Sequence, residues 1–486
     1  MLKYINKKQT NNFRRYLIED ILYDFNEKVI TLLTNFLKNS IIDGGLSKFT
    51  EDLNDELMQF GYNVTKFSME YAENILFKLK ERKEQYESLE KDDRKIITIF
   101  GEVDFQRRYY INKETGKRTY LLDEYFKIPP KERLLENVET RLVDEAIETN
   151  YEKAGNNAAY KTIISKQTTM NKISELKINL EEEKPKQKKI VDNIYCIADE
   201  DHVHLQKGGI EEPRLIVVYD SIIKNGKRTK LCNKKHFGGI YTKRIDDLWE
   251  EVLTYLENTY DLEKVKNIFI LGDGANWIKT GLEWLPNSIS VLDKFHLMKA
   301  VNGIVGKESK ENKKEKAEYK KRIWQSMYKL EFEETKEIIY EILEEEMDEK
   351  IRNKKEKLLK YILNNKNEIT NLYKYQKELH GCSAEGHISH LYSARLSSRP
   401  LGWKTINVNN VSKLRLAKAN NKSIEEIVTN KRKVIQFEEI EKIRHYANRK
   451  INESLKIKTG SLPIINFGTT EQRKFFKQLI EYKTAI

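Results

Sequence analysis

At 486 residues the chain is too long for one ordinary hydrophobic core, and about two to four domains are expected. Hydrophobic content of 39% and aromatic content of 10% exclude global disorder, and no apolar run approaches the ~20 residues that span a bilayer. A formal net charge of +12 points to a polyanionic partner, most simply nucleic acid, although a lysine-rich coding bias produces the same excess. Cys196, Cys232 and Cys382 stand far apart, which excludes a disulfide framework and a four-cysteine zinc site. That usage fits a reducing cytoplasm, and the polar start Met-Leu-Lys-Tyr-Ile-Asn-Lys-Lys is not a secretion signal.

Residues 1–92 read as a helical N-terminal region. Phe13, Leu17, Ile21, Leu22 and Phe25 recur at helical spacing, as do Phe67, Tyr71, Ile75, Leu76 and Leu79. Gly44-Gly45 divides the two series, and scaffolding or assembly is the expected role. Residues 93–130 form a small β-hairpin unit, with Ile97 to Tyr110 as the first β-rich run, a turn at Asn112-Lys-Glu-Thr-Gly116, and Pro129-Pro130 closing it. Arg107 and Arg108, beside Tyr109 and Tyr110, are candidates to grip a phosphate backbone; a solvated strand face is the competing reading.

Residues 131–180 carry three helical pieces. Val138, Leu142, Ala146 and Ile147 form one stripe, a short helix covers about Tyr151 to Ala159, and a third starts at the N-cap Ser165. A short helix, a tight turn and a helix opening Lys166-Gln167-Thr168-Thr169 resemble a helix-turn-helix, whose polar first turn would meet base edges. Glu181-Glu-Glu-Lys-Pro-Lys-Gln-Lys-Lys189 is a charged linker.

Residues 190–304 are the most regular. Strands are expected at about 194–206, 214–219 and 229–241, with a turn at Asn225-Gly226. An amphipathic helix follows through Ile245, Leu248, Trp249, Val252, Leu253 and Leu256. Ile268-Phe-Ile-Leu271 is a fourth strand, Ile289-Ser-Val-Leu292 a fifth, and a helix opens at Asp293-Lys-Phe-His296. Three antiparallel strands, helix, strand, helix, strand, helix is the order of a ribonuclease H-like α/β domain. Residues 305–378 read as a charged helical insertion, 379–410 as the return of the core, and 411–486 as a basic tail. The fold class expected is multidomain α+β.

Two apolar runs end in carboxylates: Ile194 to Ala198 runs into Asp199-Glu200-Asp201, and Ile268 to Leu271 into Gly272-Asp273-Gly274. Asp at a strand end is most often a turn former or helix cap. Here the first and fourth strands are expected as neighbours, so their tips converge, and Glu385 on a later helix can join them. Three such carboxylates repel unless a divalent cation neutralises them, and oxygen ligation favours Mg²⁺ or Mn²⁺. Two ions about 4 Å apart suit phosphodiester chemistry. Asp199 directly ends the apolar run and is the favoured first acid; Asp201, two residues on and pointing to the same face, is the alternative, otherwise supporting the metal ligands or positioning DNA.

Asp199, Asp273 and Glu385, separated by a helical insertion, resemble the acidic triad of the DDE transposases of bacterial insertion sequences, most closely the mutator-like branch. The matching residues are Ile197-Ala-Asp199-Glu-Asp-His-Val-His-Leu-Gln206, Gly272-Asp273-Gly274, Asp293-Lys-Phe-His296 and Ser383-Ala-Glu385-Gly-His-Ile388, together with the hairpin Phe100 to Tyr109. The resemblance covers about residues 95–405. It implies a metal-dependent DNA cleavage and strand-transfer enzyme, acting on double-stranded DNA at terminal repeats as a homo-oligomer, in the bacterial nucleoid. His296 is expected to position DNA or to support the metal ligands, and Arg395 and Arg399, at helical i, i+4 spacing, to hold phosphates or form a solvated face. Zinc binding by His202 with His204, or by His380, Cys382, His387 and His390, is a minor alternative, because neither set completes a standard ligand spacing.

Overall fold

Two long helices open the computed structural model, which describes residues 18–429 except 44, 179–184, 186, 227, 242–243, 308–311 and 400–401. Helices α1 (Ile18–Asp43) and α2 (Leu46–Lys78) pack through Phe25 on Phe60 and Phe36 on Phe49. As one number rises the other falls, so the pair is antiparallel. Phe13, Leu17 and the tail from Asn430 lie outside the described residues. The described chain to Val428 belongs to one unit.

After α3 (Lys80–Gln85) come β1 (Tyr86–Thr98), β2 (Gly101–Asn112), β3 (Arg118–Thr119) and α4 (Leu121–Phe126). The hairpin starts at Tyr86, earlier than the expected boundary near 93. The added residues are charged and sit on an edge strand that solvates its outer face, and a register shift falls between Ser88 and Lys91. Met69, Leu76, Ile96, Val103, Phe105 and Leu122 form a core between α2 and this sheet.

Helices α5 (Glu136–Glu148), α6 (Tyr151–Asn157) and α7 (Lys166–Ser174) follow. Asn150 caps α6 by accepting from the Lys153 N–H at 2.8 Å, and Ser165 caps α7 by accepting from the Thr168 N–H at 3.1 Å. The tight turn expected between α6 and α7 is instead the whole segment 158–165, longer than the ~3–4 residues of a helix-turn-helix. The segment folds back so closely that a Cβ on Gly155 would lie 1.9 Å from the Ile164 carbonyl oxygen.

The central sheet uses β4 (Asn193–Glu200), β7 (Arg214–Tyr219), β10 (Lys235–Gly239), β11 (Asn267–Gly272) and β12 (Ser288–Leu292), in the order β10-β7-β4-β11-β12. β7 runs antiparallel to β4 and β10, whereas β11 is parallel to both β4 and β12. Two expected strands are divided. The first ends at Glu200, and β5 (Val203–His204) turns off to pair with β6 (Ile210–Glu211). The third is split between β10 and a separate hairpin of β8 (Ser221–Asn225) and β9 (Arg228–Cys232), which packs on the core through the cross-strand pair Ile222 and Leu231 but does not join the central sheet.

Sheet faces alternate as the period of two requires. Ile194, Cys196, Ala198, Ile216, Val218, Ile268 and Ile270 face α8 (Ile245–Thr259), α9 (Asn276–Lys279) and α10 (Gly281–Trp284). Tyr195, Ile197, Val217, Tyr219, Phe269 and Leu271 share the opposite core with Ala384, Ile388, Tyr392 and Leu396.

The insertion is helical, as expected. Helices α11 (Lys294–Val305), α12 (Lys313–Tyr328), α13 (Phe332–Glu344), α14 (Glu349–Asn364) and α15 (Lys366–Lys374) enclose Val301, Ile304, Ile323, Met327, Ile339, Leu359 and Ile362. The chain returns as α16 (Ala384–Ile388), a π-helical turn (Ser389–Ser393), α17 (Ala394–Leu396) and α18 (Thr405–Ala419). α18 crosses the expected start of the tail at 411, because Val411, Leu414, Leu416 and Ala417 are all buried. Asn410 Nδ2 donates to the carbonyls of Ile173 and Leu176, tying α18 to the end of α7. Segments 131–180, 190–304 and 379–428 therefore share one core. Among the described residues, no helix is long and apolar enough to cross a membrane.

Candidate metal centre

Three parallel strands end side by side. In the β4–β11 register Leu271 pairs with Ile197, so Asp273 lies level with Asp199 just beyond it. In the β11–β12 register Gly272 pairs with Leu292, which brings Asp293 level with Asp273. The carboxyl ends of parallel strands are where an open α/β sheet leaves room for ligands. Asp199 continues the face of Tyr195 and Ile197, the face covered by α16, and that is why it meets Glu385.

One ligand atom each from Asp199, Glu385 and His296 lies within 4.8 Å of the other two. Asp199 is buried, His296 half-buried and Glu385 exposed, so the group opens on one side. Burial pushes the Asp199 carboxyl up to about 7; Asp273, Glu200 and Glu385 add to the shift, and the Glu200 N–H, donating to Asp199 Oδ1 at 3.0 Å, opposes it. His296 Nε2 is buried without a hydrogen-bond partner. Two carboxylates and an imidazole with an unpartnered nitrogen fit a divalent cation. The nitrogen donor moves the preference from Mg²⁺ toward Mn²⁺, since Mg²⁺ takes oxygen ligands.

Asp273 stands beside this group rather than within it. Its Oδ1 accepts the Ala275 N–H at 2.9 Å, and its backbone carbonyl accepts the Tyr361 hydroxyl at 2.6 Å. Gly274 follows at φ +87°, where a Cβ would strike Asn365. Asp293 caps α11 by accepting the Phe295 N–H at 2.9 Å, while its own N–H donates to Gly272 at 2.7 Å. That cap aims the first turn, and so His296, at the strand tips. Burial raises both the Asp293 carboxyl and the nearby Cys382 thiol above their usual ranges. A cavity of about 930 Å³ opens next to Asp293 and Cys382, walled by Met298, Trp324, Tyr328 and Tyr373.

Other expected site residues are placed elsewhere. Asp201 is buried and holds the Ser397 hydroxyl at 2.9 Å to each carboxylate oxygen, which leaves Asp199 as the acid that meets Glu385. Arg395 is not a phosphate contact: it is buried, donates from Nε to the Ala146 carbonyl at 3.0 Å, and lies over the Trp403 and Tyr151 rings. Arg399 is exposed but lies past the end of α17, so it shares no helix face with Arg395.

Arg107 is buried against Asp123 and over the Tyr120 ring; Arg108 faces Glu73 at 3.5 Å and lies over Phe77. Both are tied into the hairpin core and turned away from any phosphate backbone. In α7, Lys166 and Gln167 are exposed, with Gln167 donating to Asn171 at 2.8 Å, and Thr168 bonds the Ser165 hydroxyl. Thr169 is fully buried and bonds the Ser165 carbonyl, so it reads no base.

The zinc alternatives do not assemble among the described residues. His202 and His204 are exposed, His380 packs on Tyr195, and His387 packs on His236. Sequence reasoning missed Tyr361 and Asn365, because nothing in a charged helical insertion marks a residue that reaches back to a strand tip. It assigned His296 only a supporting place, although the spacing Asp-x-x-His, with the Asp as cap, contained the geometry.

The Uncharacterised protein family (UPF0236) model matches residues 45–433. A UPF0236 protein of Caldanaerobacter subterraneus subsp. tengcongensis, whose name joins eleven loci from TTE0033 to TTE2212, is 34% identical over 462 residues, covering 94% of this chain and 96% of its own. UPF0236 protein TTE0402 of the same organism is 33% identical over 470 residues, covering 95% of this chain and 93% of its own. The chain belongs to the UPF0236 family, which has many paralogues in that one genome.

Proposed function

We propose that this UPF0236 protein is a DNA transposase with a ribonuclease H-like core, cutting DNA and transferring the freed 3′ end with the help of a divalent cation. The observation that carries the reading is the meeting of Asp199 with Glu385 and His296, beside Asp273, at the carboxyl ends of β4 and β11. The sheet order, with the first and fourth long strands adjacent and a helical insertion before the Glu helix, supports it as well. A name that joins eleven loci in one genome is consistent with a family carried by mobile elements.

Asp199, Glu385 and His296 would hold Mn²⁺ or Mg²⁺, with Asp273 close enough to contribute or to orient a bound water. Bound there, such ions activate a water or 3′-hydroxyl for attack and stabilise the leaving 3′-oxygen. Asp293 keeps His296 turned toward the strand tips, and Tyr361 keeps the Asp273 turn in place. The buried walls around Asp199 strengthen each interaction with the developing charge. Two DNA ends must be held together, so the reading also calls for a homo-oligomer on double-stranded DNA.

The test is a cleavage assay on labelled duplex carrying the DNA that flanks the gene, with Mn²⁺, Mg²⁺ or EDTA, beside Asp273→Asn and Asp199→Asn. Metal-dependent nicking at a fixed position, reduced about 10²–10³-fold or more in either variant, is expected. Cutting without joining to a target would identify a nuclease or resolvase. Binding without cutting under either metal would identify a DNA-binding regulator and sink the catalytic reading.

A further inference from the structure

The N-terminal hairpin carries an apolar surface that nothing in the described chain covers. One side of α1, with Phe25 and Phe36, packs on α2. The other side shows Tyr23, Ile30, Leu33 and Leu37 at 67%, 57%, 45% and 60% exposure. With Asn26 these occupy positions 23, 26, 30, 33 and 37, the alternating three-and-four spacing of a helix–helix seam. At 26 residues α1 is about 39 Å long, and the stripe from Tyr23 to Leu37 spans about 21 Å of it, a little over half.

Charge flanks the stripe unevenly. Asp20 and Lys38 are eighteen positions apart, a whole number of turns at 3.6 residues per turn, so they project in the same direction from opposite ends. Both are exposed. A two-fold axis at Ile30 turns this layout into a match. Ile30 then meets Ile30 of a second copy, Tyr23 meets Leu37, and Asp20 falls within about 3 Å, along the axis, of the opposite Lys38. The match occurs twice by symmetry. Parallel docking, with the two-fold along the helices, would carry the two Asp20 and the two Lys38 to opposite sides of the seam and pair no acid with a base.

We propose that the exposed face of α1 is a dimer interface, docking antiparallel on α1 of a second copy of this chain with Ile30 on the two-fold axis. The interface involves the hairpin alone and stands whether or not the carboxylate site cuts DNA. It burial-matches apolar residues along one seam and pairs acidic with basic ends, the two properties of an isologous helical contact.

The full chain at micromolar concentration, followed by sedimentation velocity and light scattering, is expected to be at least dimeric. Ile30→Glu sets two carboxylates against each other on the axis and should yield a smaller species, with unchanged helical circular dichroism and melting. Asn35→Glu, off the face, should leave association unchanged. Asp20→Lys and Lys38→Asp should each weaken association about 3–10-fold, and the two together should restore it. A monomeric full chain across the concentration range would overturn the proposal, as would association that survives Ile30→Glu. Failure of the double swap to recover would overturn the antiparallel register.

Discussion

The hairpin sheet and the tip of the central sheet both bury charge, but only one of them neutralises it. In the hairpin, Arg107 meets Asp123, Arg94 stands 4.0 Å from the same carboxylate, and Glu73 takes Arg108 and the Tyr110 hydroxyl. At the central tip, burial raises the cost of ionising Asp199, and Asp273, Glu200 and Glu385 add to it; the His296 imidazole has a buried nitrogen with no partner. Burial alone therefore does not mark a functional site. A buried charge that the protein leaves uncompensated does, because something from outside must compensate it.

Breaking the closed network should have the largest effect. Asp123→Ala strands Arg107 and Arg94 in the interior and is expected to cost about 3–5 kcal/mol, read from urea unfolding. Asp199→Asn should move stability the other way. The folded carboxyl titrates at about 7 against 3.8 unfolded, so the penalty for its charge builds between those values and is complete above pH 7. In EDTA at pH 8 the variant should gain up to about 4 kcal/mol, and at pH 4 almost nothing. Equal stability at both pH values would mean the tip is not under electrostatic stress.

A third interior solution is to keep the group neutral. His236 is buried, with Nδ1 3.0 Å from Asn420 Oδ1, and burial holds its pKa down to about 4. The unfolded imidazole takes its proton near 6.5, so stability is complete above that value. It should fall by up to about 3 kcal/mol as pH drops toward 4, a slope that His236→Gln should flatten. The smallest effect is expected from Tyr361→Phe, which removes the hydroxyl from the Asp273 carbonyl. About 1 kcal/mol of stability should be lost, with weaker Mn²⁺ binding by calorimetry; unchanged Mn²⁺ binding would release the insertion from any part in the site.

Much of the central sheet was legible because its apolar runs are short, β-branched and bounded by turn residues. β7, β11 and β12 fall where the pattern puts them. Arg107 shows how a correct period can be under-used. The alternation that places Val103 and Phe105 inside also places Arg107 inside, yet its charge suggested a surface. Asp199 was separable from Asp201 on the same logic only once β4 was seen to end at Glu200, where the chain leaves the sheet. The contacts of Tyr361 and Asp201 join residues far apart in sequence, and no local pattern encodes them.

The π-helical turn at Ser389–Ser393 lies between Glu385 and Arg395. Such a turn holds one residue more than an α-helix of the same length, so it works as a phase adjuster. The Arg395 end is clamped by Ala146, Tyr151 and Trp403, which leaves the azimuth of Glu385 to be set by counting. Losing a single residue from this turn would regularise the helix and swing Glu385 about 100° around its axis, away from Asp199, with every carboxylate still in the sequence.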